Sequence, residues 1–169
     1  MPAPSPEQAL RPAGTRGGQL PNEAHMTALA HAMALIRRWE GCRLVAYKCP
    51  AGIWTIGWGS TGPGITEGVR WTQAQADERL ARDVEKFMVG VRKLLRRPVT
   101  EAQLGAMTSL AYNIGIGAFG SSTLLRLFNA GQTDLAAAQF AVWRRAGGKV
   151  LQGLVNRRAD ERRVFEGGA

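Results

Sequence analysis

Only two cysteines occur in the 169 residues, Cys42 and Cys49. Two are too few to staple a chain of this length, so a disulfide scaffold is excluded and a reduced pair is expected. No apolar run approaches the ~20 residues that a membrane span needs. The longest candidate, residues 27–36, is short and carries His31. No small-residue cleavage site follows it, so it does not read as a secretory signal. No internal repeat is present, which excludes a solenoid. Acidic residues are scarce: 13 against 22 Lys and Arg, a formal charge of +9. Such a chain is drawn to polyanions. None of the common nucleic-acid-binding signatures is present, so nucleic acid is not the expected partner.

Length and a hydrophobic fraction of 45% suit one domain with one main core. Residues 1–25 hold five of the eight prolines and three glycines. That composition predicts a flexible leader, with a single domain over 26–169 and Met26 as an alternative start.

The spacing of Leu29, Met33 and Ile36 predicts a helix over 27–39. Glu40 follows it, and Gly41 is a natural stop. The pattern then changes. Residues 44–47 and 53–58 read as strands, and Cys49-Pro50-Ala51-Gly52 as the turn between them. Strict alternation would place Ile53, Thr55 and Gly57 on one face and Trp54, Ile56 and Trp58 on the other. Gly57, Gly59, Gly62 and Gly64 then open the chain to close approach by a ligand.

The remainder reads as helical. Thr72-Gln73-Ala74-Gln75 and Thr100-Glu101-Ala102-Gln103 are two capping boxes. After the first, apolar residues from Leu80 to Leu95 predict a helix of about 23 residues, roughly 35 Å long, ended by Pro98. It would tie two lobes together. After the second, Leu104, Met107, Ala111 and Ile114 form a stripe. Helices are also expected over 123–129, 134–143 and 154–165. The fold class is therefore α+β: a small N-terminal β element and a larger helical lobe joined by a long helix.

Glu40 is the first candidate for chemistry. Burial and the negative end of a helix both disfavour a charged carboxyl. A carboxylic acid that keeps its proton is what glycoside cleavage requires, because the leaving oxygen must be protonated. Cys49 and Thr55 follow nine and fifteen residues on, within reach if the hairpin folds back. A thiolate can act as nucleophile or as base for a water, and a hydroxyl can orient that water. Read alone, each residue is equally a helix-end Glu, a turn Cys or a strand Thr.

Three separated motifs carry a resemblance. They are Trp39-Glu40-Gly41 with Tyr47-Lys48-Cys49-Pro50 and Gly52 to Gly59; Ala111-Tyr112-Asn113-Ile114-Gly115 with Phe119-Gly120-Ser121-Ser122-Thr123; and Gly153-Leu154-Val155-Asn156-Arg157-Arg158 followed by Glu161. Together they resemble the phage-type lysozymes of glycoside hydrolase family 24 over residues 27–167. That family's pattern of Glu, eight residues, Asp or Cys, five residues, Thr falls on Glu40, Cys49 and Thr55.

The resemblance implies the two-lobed lysozyme fold and an endolysin that cuts the β-1,4 bond from N-acetylmuramic acid to N-acetylglucosamine in peptidoglycan. It implies Glu40 as general acid, Cys49 as nucleophile or base, and Thr55 as holder of the water. Gly59, Tyr112, Asn113 and Ser122 match positions near the sugar groove. No metal or cofactor is implied, and a monomer is expected. The enzyme would be made in the bacterial cytoplasm, without a readable signal, and act on the wall. Many members have Asp where this chain has Cys49, so a Cys42–Cys49 disulfide would block the site. The alternatives are a lytic transglycosylase and a cationic module without catalysis. The basic runs Arg92–Arg97 and Arg144–Arg163 are expected on solvated faces, able to meet an anionic envelope.

Overall fold

The computed structural model describes residues 26–168, so the expected leader over 1–25 lies outside the described residues. Helix α1 spans Ala28–Trp39, and the Thr27 hydroxyl caps it by accepting from the Ala30 amide at 3.2 Å. Its buried face is Ala28, Ala32, Leu35 and Ile36, whereas Leu29 and Met33 only flank the core. The expected stripe is thus rotated. Small residues face inward because helix α3 approaches closely: a Cβ on Gly105 would stand 2.9 Å from the Ala28 carbonyl oxygen.

Strands β1 (Arg43–Lys48) and β2 (Trp54–Gly57) form an antiparallel hairpin. Tyr47 faces Thr55 and Lys48 faces Trp54, and the register shifts between Arg43 and Tyr47. The expected turn closes through Gly52 N–H to the Cys49 carbonyl at 2.7 Å, with Gly52 at φ +77°. The expected alternation fails. Thr55, Ile56 and Gly57 are all buried and Ile53 is exposed. Trp71 packs against Gly57, and a Cβ there would meet its ring at 3.1 Å. Both faces of β2 are therefore covered, which alternation alone does not describe.

Helix α2 spans Gln73–Leu94, and its Thr72–Gln75 capping box is formed. It ends at Leu94, four residues before Pro98, so the proline follows the break and does not cause it. Its first half packs Leu80 and Val84 against Ala32 and Ile36. Its second half packs Val91 into the larger core with Met107, Leu110, Phe119 and Phe128. One helix thus enters both apolar clusters.

Helix α3 (Glu101–Ile114) also starts from its predicted capping box. It carries far more than a stripe: every residue from 104 to 111 is buried. It is the central helix of the lobe, packed all round. Around it lie α4 (Ile116–Gly120), α5 (Thr123–Asn129), α6 (Thr133–Ala138) and α7 (Gln152–Phe165). The helix expected over 134–143 is split, because α6 gives way to a 3-10 turn at Gln139–Val142. Helix α4 and a short hairpin, β3 (Arg145–Ala146) and β4 (Lys149–Val150), were not expected. That hairpin turns on Gly147 and Gly148, both at positive φ. No helix among the described residues is long and apolar enough to cross a membrane.

Candidate active site

Glu40 stands where α1 stops. Its amide still donates to the Ile36 carbonyl at 2.8 Å, but its own φ and ψ are extended, so the break falls on Glu40 and not on Gly41. The side chain points into a cleft of about 410 Å³ between the hairpin side and the helical lobe. The same cleft is lined by Gly59, Tyr112 and Asn113, three of the four expected groove residues, and by Trp58 and Asp83.

Each wall is held by its own polar contacts. The Tyr112 hydroxyl donates to the Trp58 carbonyl at 3.2 Å, and the Trp58 indole donates to Asp77 at 2.7 Å. Burial, with the Glu40 charge second, pushes the Tyr112 phenol up to about 12. Tyr112 therefore stays a neutral donor across the working range. Arg79 donates to both oxygens of Asp83, at 3.1 and 3.0 Å, and the Ser60 hydroxyl reaches the same carboxylate at 3.4 Å.

Glu40 also has a partner that the sequence did not suggest. Arg157 Nη1 donates to Glu40 Oε1 at 2.7 Å. The arginine is 4% exposed and the glutamate 28%. Arg157 and its neighbour Arg158 were expected on a solvated basic face. The structure buries both. They sit there because Glu161 is buried beside them: its Oε1 accepts from Ser109 Oγ at 2.8 Å, Arg157 Nε at 3.2 Å and Arg158 Nη2 at 3.1 Å. Burial pushes the Glu161 carboxyl up, opposed by Arg158, Arg157 and Ser109. Burial pushes the Arg158 guanidinium down to about 10, against the pull of Glu161. Arg158 Nη2 also donates to Asn113 Oδ1 at 3.1 Å. The legible signal was the spacing: Arg157 and Glu161 are four apart on one helix face.

Cys49 and Thr55 come together at the turn end of the hairpin. The Thr55 hydroxyl donates to the Ile53 carbonyl at 3.1 Å. The Ile53 backbone is the main influence holding the Cys49 thiol below its ordinary range; desolvation opposes it, and the Ala51 backbone and the Thr55 hydroxyl assist. The pair does not line the cleft that holds Glu40. Both cysteines are free thiols. They flank the six-residue β1 at its two ends, roughly 20 Å apart at 3.3 Å per residue, beyond the ~7 Å a bridge tolerates. The disulfide considered from sequence is therefore excluded by the strand itself.

Ser122 is not with Glu40. It lines a separate cleft of about 570 Å³ beside α5. It caps α5 by accepting from Leu125 N–H at 3.2 Å while donating to the Phe119 carbonyl at 2.6 Å. It thus sits at a helix cap and in the lining of a cleft apart from Glu40.

The phage lysozyme family model matches residues 37–161, which takes in the α1 end, the hairpin and α7 as far as Glu161. The chain belongs to the phage lysozyme family. It is 47% identical over 136 residues to the endolysin of Bacillus phage PZA, covering 79% of this chain and 53% of that protein. The chain thus spans about half the length of that relative. Against the endolysin of Acyrthosiphon pisum secondary endosymbiont phage 1 the identity is 41%, over 79% of this chain and 94% of the relative. The solved endolysin from Escherichia coli O157:H7 phage FAHEc1 superposes with a TM-score of 0.75, at 36% identity over 83% of this chain and 94% of the other. The two-lobed lysozyme fold expected from sequence is the fold of these phage lysozymes.

Proposed function

We propose that the chain is a glycoside hydrolase that cuts the β-1,4 bond between N-acetylmuramic acid and N-acetylglucosamine in peptidoglycan. It works on the wall as an endolysin and lyses bacteria. The observation that carries this reading is Glu40: a carboxyl at a helix end, partly exposed in an open cleft and fixed by one hydrogen bond to a buried arginine.

In this reading Glu40 gives its proton to the leaving oxygen as the glycosidic bond breaks. Gly59 lets a sugar ring approach the backbone, and Asn113 and Tyr112 form the facing wall. The family pattern gives Cys49 the place of nucleophile or of base for the incoming water, and Thr55 the place of the group that holds that water, although neither is among the residues lining the cleft around Glu40. The lowered thiol of Cys49 supports either role, since only a thiolate attacks or takes a proton.

The test is clearing of purified peptidoglycan by wild type and by Glu40→Gln, with new reducing ends counted. The amide should keep the fold and lower turnover by at least about 100-fold. New reducing ends in step with clearing identify a hydrolase. Clearing without them identifies a lytic transglycosylase, and near-wild-type clearing by Glu40→Gln removes the reading.

A further inference from the structure

We infer that Glu161 is a positioning residue for the Glu40 carboxyl, acting through Arg157. The inference rests on the reading of Glu40 as a general acid and names the residue that keeps it in place.

The geometry is a chain of four groups. Ser109 on α3 holds Glu161 at 2.8 Å, Glu161 holds Arg157 Nε at 3.2 Å, and Arg157 Nη1 holds Glu40 at 2.7 Å. The guanidinium has few other restraints: its Nη2 has no hydrogen-bond partner among the described residues. Its plane is therefore set at one edge by Glu161 and at the other by Glu40. Through Arg158 the same Glu161 oxygen also reaches Asn113, a second cleft residue. Two cleft side chains thus depend on one buried carboxylate. Such outer partners fix the orientation of the groups that meet the substrate.

The charges point the same way. From α7 come Arg157, Arg158 and Glu161, and from the end of α1 comes Glu40, a sum of zero. Helix α3 faces them with neutral Ser109, Asn113 and Tyr112. Helix α2 brings Arg79, Asp83 and Lys86, with Asp83 paired to Arg79 at 3.0 Å and to the exposed Lys86 at 4.0 Å. Remove the Glu161 charge, and Glu40 meets two buried guanidiniums alone. That field favours its carboxylate and withholds the proton that bond cleavage needs. A purely structural Glu161 would cost stability when replaced but leave the Glu40 titration where it was.

The experiment is carbon-13 NMR titration of the glutamate carboxyls in the full chain, with the Glu40 signal assigned by its loss in Glu40→Gln. In Glu161→Gln the Glu40 midpoint should fall by about one pH unit. Turnover on peptidoglycan should fall about tenfold with KM unchanged, and its alkaline limb should move to lower pH. A folded Glu161→Gln with an unmoved Glu40 midpoint overturns the inference. If that variant does not fold, Ser109→Ala decides: it leaves the charge but loosens its anchor, so the midpoint should move the same way by less, and an unmoved midpoint again overturns it. Should wild type fail to clear peptidoglycan, the glycosidase reading falls, while the midpoint shift still decides the role of Glu161.

Discussion

Trp58 Nε1 lies 2.7 Å from Asp77 Oδ1 and donates to it, tying the chain just after β2 to the start of α2. The indole is the largest influence holding the Asp77 carboxyl below its ordinary range, followed by Gln73, with slight burial opposing and the Arg37 charge assisting. A carboxyl lowered in the folded state contributes stability above its unfolded pKa and loses it as pH falls through the folded value. Trp58→Phe should therefore flatten part of the acid-side loss of stability below about pH 4. Urea unfolding across that range checks it. Equal pH slopes for both proteins would show that the contact does not couple to folding.

The second prediction concerns Cys49. Because backbone and Thr55 contacts hold its thiol low, the thiolate should persist below the ~8.5 of a free cysteine, and activity should fall as pH drops through the lowered value. Cys49→Ser should be nearly inactive, whereas Cys49→Asp should keep measurable activity, since a carboxylate serves either role. Alkylation should inactivate wild type but spare Cys49→Asp. Retained configuration in the product assigns the nucleophile and inverted configuration the base. Wild-type clearing by Cys49→Ser would reduce the residue to part of a turn.

A third test addresses the packing of α1 on α3. A Cβ at residue 105 would collide with the His31 Cβ and crowd the Ala28 carbonyl and the Ala32 amide. Gly105→Ala should cost about 1–3 kcal/mol, the usual scale of overpacking. The melting temperature should fall by several degrees. A melt at the wild-type temperature would mean that the two helices can separate freely.

The exposed arginines of α7 should behave otherwise. Arg162 pairs with Glu166 at 2.8 Å and Arg163 with Asp160 at 3.2 Å, all near the surface except Asp160. Reversing both arginines to Glu should weaken activity on whole walls and its salt dependence, because exposed charges steer encounter and are screened. Cleavage of short soluble glycan fragments should barely change. Equal losses on both substrates would place these residues in the chemistry.

What was legible in the sequence was local. The capping boxes at Thr72 and Thr100 fixed two helix starts because a cap is written within four residues. The turn at Cys49 to Gly52 was equally local. Groups set by packing were not legible. The rotation of α1 depends on Gly105, more than 70 positions away, and the burial of Gly57 depends on Trp71 and on Ala76 of α2. Arg157 read as one more cation in a basic run. Its role appears only when Glu40, 117 positions earlier, is brought to 2.7 Å. Ser122 shows the opposite case: the motif match falls on a helix cap beside a cleft other than the one that holds Glu40.

The placement of the two thiols at opposite ends of β1 has a consequence for life outside a reducing compartment. If Cys49 works as a thiolate, as proposed, it is exposed to silencing whenever a second thiol in the same molecule can reach it. Here the strand acts as a rigid spacer, and Cys42 faces Gln73 at its far end, with the sulfur 3.7 Å from the amide nitrogen. Inactivation by oxidation then requires a small-molecule oxidant or a thiol from another molecule, so its rate should scale with what the surroundings contain and not with the protein's own geometry.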